Sequence, residues 1–116
     1  MAIAIATTRQ NLANQYATLG TYIGVCTTNP GTTNTPAGEA TGGSPAYARK
    51  ATVWTPGTGG ILTGSVVTVD VPTGTYTWCT LCSAVSGANQ IDNADVVDVV
   101  MSAQGQLVIS PTYNQS

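Results

Sequence analysis

The chain has 116 residues, a net charge of −2 and 7 % charged residues, against roughly 25 % in an average soluble protein. That length suits one domain built on one modest core and is too short for two. Three basic residues leave no footprint for nucleic acid, and the absence of His removes the Ser/His/Asp triad and His-based metal sites together.

Residues 1–6 read as an extended arm, with Ile3 and Ile5 alternating along it. The opening "MAIAIATTRQ" is too short for a secretory leader and has no basic n-region, so synthesis and initial retention in a cytosol are expected. Thr7 followed by Gln10 has the spacing of a capping box. Leu12, Tyr16 and Leu19 recur at i, i+4 and i+7, and Gly20 is a natural stop. The pattern predicts an amphipathic helix over 7–19 that buries Leu12, Tyr16 and Leu19.

From residue 21 the texture is β. Strands are predicted over 21–28, 46–54, 61–71 (with Val67, Val69 and Val71 on one face) and 75–84. The stretch 29–45 is a long Gly-, Pro- and Thr-rich loop, of the kind that is functional or held by a partner. Residues 55–60, 72–74 and 85–95 are breaks and turns. "VVDVVMSA" and "QLVISPTY" read as a hairpin across Gln104 and Gly105. The whole, 1–116, is expected to be one mainly β domain: an antiparallel β-sandwich of five to seven short strands over 21–116, with one short N-terminal helix. No segment approaches the ~18 apolar residues of a membrane span.

"GGSPAYARK" (42–50) concentrates two of the three cations. A phosphate loop would need G-x-x-x-x-G-K-[ST] ahead of a helix; here a strand follows. Gly42, Gly43 and Pro45 make a turn into that strand. Arg49 and Lys50, being adjacent on it, point to opposite faces and cannot clamp one phosphate. Cys79 and Cys82 form a C-x-x-C, yet zinc would need four ligands and only Cys26 remains. On a strand the pair faces opposite ways, so the cysteines read as small buried hydrophobes. Asp92, Asp95 and Asp98 lack the spacing of a calcium loop and suit turns and an outer strand face. Trp54, Trp78, Tyr22, Tyr47 and Tyr76 could form a sugar-stacking face, but in a domain without Phe they are the natural core. Neither an acid/base pair nor a nucleophile is placed for catalysis, and no cofactor is indicated. A surface with so few charges suits a subunit packed in many copies better than a freely diffusing enzyme.

Three pieces carry a resemblance: "TYIGVCTTNPGTTN" (21–34), "GGSPAYAR" (42–49) and "VDVPTGTYT" (69–77). Over roughly residues 7–116 the chain resembles a family of small tailed-bacteriophage virion proteins, including those of actinobacteriophages, described as head decoration, tail-fibre or minor tail proteins. Where relatives often read "THxGLxSA", this chain has Trp78 and Cys79 in "TWCTLCSA". The resemblance implies a structural role without catalysis, on the capsid surface or alternatively the tail. Its implied partners are other virion proteins, first the major capsid protein, and further copies of itself, with neither nucleic acid nor membrane. Ile3, Ile5, Gly42, Gly43, Pro45, Tyr47, Arg49 and Lys50 are the candidate interface residues, and Arg49 is expected to serve assembly more than folding.

Overall fold

A computed structural model describes residues 2–116; residue 1 of the expected arm lies outside the described residues. The helix α1 spans Ala6–Leu19 and is followed by nine strands: β1 (Tyr22–Cys26), β2 (Lys50–Ala51), β3 (Trp54–Pro56), β4 (Ile61–Gly64), β5 (Val67–Val71), β6 (Gly74–Cys82), β7 (Gln90–Met101), β8 (Gly105–Ile109) and β9 (Thr112–Asn114). All pairings are antiparallel. One layer has the order β2-β1-β6-β7; the other consists of β3-β4-β9 and β5-β8. The mainly β, antiparallel sandwich with one helix agrees with the sequence reading.

The core forms where period-2 alternation places valines inward. Val67, Val69 and Val71 of β5 are buried against Ile23, Val25, Tyr76 and Leu81 of the facing layer. Each such burial is worth about 1.5–3 kcal/mol.

The strand count rises to nine because three predicted strands are broken. The segment 46–54 divides into β2 and β3, and 61–71 into β4 and β5. The two breaks are stitched together: Ser65 N–H donates to the Val53 carbonyl at 3.0 Å, and Val53 N–H to Ser65 Oγ at 2.9 Å. Buried Thr52 adds a bond from Oγ1 to the Ser65 carbonyl at 2.7 Å. The segment 106–113 divides at Ser110 and Pro111, where the imide has no N–H to give a ladder. Gly64 N–H bonds the Pro111 carbonyl at 2.8 Å, so both long ribbons jog at the same level.

The predicted hairpin across Gln104 and Gly105 does not form. β7 pairs with β6, and β8 pairs with β5, so the chain changes layers between them. Valine-rich alternation makes two strands but does not choose their partners. β7 also begins earlier than expected, so Asp92, Asp95 and Asp98 all lie on it, not in a turn.

Helix α1 keeps its predicted extent but turns a different face inward. Ala13 is its buried residue, Tyr16 and Ala17 are half-buried, and Leu12 and Leu19 are exposed. The capping box does not form either; Ile5 precedes the first turn with no side-chain cap. The side chains of that turn bind across to the β3–β4 connection instead. Gln10 Oε1 accepts from Gly60 N–H at 2.9 Å and Ile61 N–H at 3.0 Å, and Nε2 donates to the Ile61 carbonyl at 3.1 Å. Arg9 Nε donates to the Gly59 carbonyl at 2.9 Å, and Nη1 to the Ile3 carbonyl at 2.6 Å. These bonds set the helix rotation. They bring Tyr16 onto Tyr113, ring centroids 3.6 Å apart and nearly parallel, and edge-on to Trp54.

Candidate functional site

The long loop after β1 is folded tightly onto its own layer. Thr27 N–H bonds the Gly38 carbonyl, Ala37 N–H the Pro30 carbonyl, and Ala40 N–H the Val25 carbonyl, all within 3.0 Å. These turns return Glu39 beside Cys26. Gly42 and Gly43, at φ +81° and +93°, then reverse the chain, closed by Tyr47 N–H to the Gly42 carbonyl at 2.8 Å.

The reversal delivers Arg49 inside the molecule. Its side chain meets Glu39 through both prongs, Nε to Oε2 at 2.7 Å and Nη2 to Oε1 at 2.8 Å. The remaining donors reach the β6–β7 loop: Nη2 to the Gly87 carbonyl at 3.0 Å, Nη1 to the Ala84 carbonyl at 3.0 Å and to Asn89 Oδ1 at 2.9 Å. That is one acceptor for each of the five N–H groups of the fork. Tyr47 Oη donates to Glu39 Oε2 at 2.6 Å and accepts from Val25 N–H at 3.2 Å. Burial, then the hydrogen bond to the Glu39 carboxylate, holds the Tyr47 phenol far above its ordinary range. The hydrogen bonds to Glu39 likewise raise Arg49. Chemically the cluster is a structural clamp. It joins the 29–45 loop, the strand entry and the β6–β7 loop.

The candidate interface residues are therefore split. Arg49 is 3 % exposed and serves the interior, and Tyr47 directs its hydroxyl inward. In a chain with one Glu, the guanidinium is drawn to that half-buried carboxylate, so Arg49 works between loops of its own chain, while the ring of Tyr47 stays part-exposed. Lys50 points outward, as the strand alternation required, and Gly42, Gly43 and Pro45 are exposed. Ile5 is 62 % exposed and Ile3 half-buried; with backbone that is neither helix nor strand, residues 2–5 carry no ladder.

At φ +93°, Gly43 occupies space that a Cβ would contest with the Gln104 carboxamide and the Pro45 carbonyl. Gln104 in turn accepts from Ser44 N–H and donates to the Pro45 carbonyl, both at 3.2 Å. Gly43→Val is expected to cost about 1–3 kcal/mol through the left-handed backbone alone. An unchanged thermal midpoint would contradict this.

Other motifs hold no chemistry of that kind. Cys26, Cys79 and Cys82 are all free thiols. Cys79 faces the core and Cys82 the opposite side of β6, as strand geometry demands. Among the described residues no group of three or more His, Cys, Asp or Glu could hold a metal ion. Of the aromatics, Tyr76 is in the core, while Tyr16, Trp54 and Tyr113 pack on one another beside a cleft.

That cleft, of about 360 Å³, opens between the layers and was not visible in the sequence. Val96 of β7 lines one wall, Ile109, Pro111 and Tyr113 the other, with Leu81 and Trp54 at its floor. It is bordered by strands that have a neighbour on one side only: β7 pairs with β6, β8 with β5 and β9 with β4. Valines stand out along these edges, with Val97 88 %, Val100 74 % and Val108 69 % exposed. The signal was present as a run, "VVDVV", too apolar on both faces for a strand with one face in water. Comparison with family models, curated proteins and solved structures finds no match to this chain.

Proposed function

We propose that the protein is a structural component of a tailed-bacteriophage virion, a capsid decoration (cement) subunit bound in many copies to the outer head surface. The observation that carries this reading is the set of open β-edges bearing exposed valines on a chain with almost no charge. Unpaired edges and apolar patches are what a solitary domain avoids. Packed among equivalent neighbours they are covered, and scarcity of like charge reduces repulsion between copies. The resemblance carried by "GGSPAYAR" and "VDVPTGTYT" supports the same assignment. Each contact with the major capsid protein can be weak, since the gain accumulates over the particle. Binding only the assembled shell stabilises that state by mass action.

A minor tail or tail-fibre position is the second reading, favoured by the aromatic side chains at the cleft, which suit glycan contact. Immunogold labelling of intact virions separates the two. Gold distributed over the heads is the expected result. Gold confined to the tail would transfer the protein to the second reading, and particles without gold would overturn both.

A further inference from the structure

The cleft has the shape of a sandwich short of one strand. In the first layer β6 is followed by β7, so Asp92, Ala94 and Val96 continue the inner face. In the second layer the ladders stop at β8 and β9, each of which has one hydrogen-bonded neighbour. The inward side chains Leu107 and Ile109 of β8 thus reach the rim of the core while the outer edge of that strand stays unpaired. An apolar cleft beside an unpaired edge is the geometry that strand addition fills. The edge supplies main-chain partners, and the cleft takes alternate side chains.

The chain itself carries a segment of matching chemistry. Residues 2–5 read Ala-Ile-Ala-Ile, strict alternation of a small and a β-branched side chain. Ile5 has extended backbone, φ −90° and ψ 116°, and is 62 % exposed. Two bonds, both from Arg9, tie the segment to the rest of its own chain: Nη1 donates to the Ile3 carbonyl at 2.6 Å and the backbone N–H to the Ile5 carbonyl at 3.1 Å. Four residues in a strand span about 13 Å, which fits along the stretch from Ile109 to Asn114 that lines the cleft. Laid along that edge, the segment would turn Ile3 and Ile5 into the cleft toward Val96 and Ile109, and its alanines outward.

We infer that the cleft between β7 and the edge running from Ile109 into β9 is an acceptor for residues 2–5 of a second copy of this chain, added as an extra strand along that edge. The contact is heterologous: the segment of one copy meets the cleft of the next. It can therefore close into a ring or continue along a row. The inference concerns association between copies and stands whether the protein sits on a head, on a tail or on neither.

Sedimentation of the full chain over a concentration series tests it. Wild-type protein is expected to self-associate with a dissociation constant of about 1–100 µM. The segment variant Ile3→Asp/Ile5→Asp and the cleft variant Val96→Lys, each checked for native circular dichroism, should associate at least tenfold more weakly. Val96 is itself part-exposed, so its replacement spares the core. Mixing the two variants supplies one intact segment and one intact cleft, and should restore pairs but nothing larger. A wild-type chain that stays monomeric would overturn the inference and leave the cleft to a partner of other chemistry, a glycan included. So would a segment variant that associates like wild type, or a mixture that gains nothing.

Discussion

Arg49→Ala is expected to destabilise the fold by about 3 kcal/mol, the lower end of the cost of removing one partner from a buried ion pair, since Arg49 is buried and Glu39 half-buried. Against a total of roughly 5–15 kcal/mol for a native domain, that is enough to leave a large unfolded fraction. The loss has two parts. Glu39, half-buried, keeps a charged carboxylate with no cation beside it and the Tyr47 hydroxyl as its remaining hydrogen-bond donor. The carbonyls of Ala84 and Gly87 and the amide oxygen of Asn89 lose their donor as well. Arg49→Lys should recover only part of the loss, because one ammonium cannot reproduce five directed bonds. Replacing both partners, Arg49→Met with Glu39→Leu, should be far milder than the sum of the single changes. Urea unfolding of wild type, Arg49→Ala, Arg49→Lys, the single changes Arg49→Met and Glu39→Leu, and their double decides it. Near-wild-type midpoints for Arg49→Ala would return the residue to a role in assembly.

Stability is also expected to fall steeply at alkaline pH, from about 9 upward. Burial pushes the Cys26 thiol up to about 12 from an ordinary value near 9, with the Glu39 charge adding to it. Tyr16 and Tyr47 are raised too, first by burial and then by bonds to the carboxylates of Asp92 and Glu39. Above pH 9 the unfolded chain begins to release these protons while the native state retains them. The unfolded state then binds fewer protons, so unfolding free energy decreases with pH. The loss continues until the native groups titrate, near 12 for Cys26 and higher for the phenols. Urea midpoints at pH 8 and pH 10.5 should differ clearly, and Cys26→Ala should lessen the part that begins at 9, to which the Cys79 and Cys82 thiols, also raised by burial, contribute. A flat profile over that range would refute the burial of these groups.

Much of this architecture could be read from the residues, and the failures share a cause. The alternation of Val67, Val69 and Val71 specified an inward face, and the structure buries all three. The helix was recognisable over 7–19, yet Leu12 and Leu19 face water. Its rotation is decided by Arg9 and Gln10 binding a turn some fifty residues away. Likewise, "VVDVVMSAQGQLVIS" marks two strands, but their partners β6 and β5 are chosen by the layer crossing. The Arg49 clamp was hidden for a related reason. Nothing local says that the sole Glu, ten residues earlier, will be brought back by Gly42 and Gly43 to meet it. Local pattern sets which segments are strands; distant polar bonds set how they face and where they join.

The pairings that cross the sandwich have a consequence for synthesis. β1 waits for β6, more than fifty residues downstream; β5 waits for β8; and β4 finds its second neighbour only in β9, about fifty residues on. A chain still emerging from the ribosome can close the β3–β4 hairpin and the β2-β1-β6-β7 layer, but not the ladders that need β8 and β9. Such non-local topology folds on the ms–s scale rather than in microseconds. During that interval β4, β5 and the valines of β7 are exposed together on a chain with few charges to keep neighbours apart. Yield in the cell should then depend on how fast β8 and β9 follow the strands before them, and slow codons placed there would cost more soluble protein than the same codons placed in the helix.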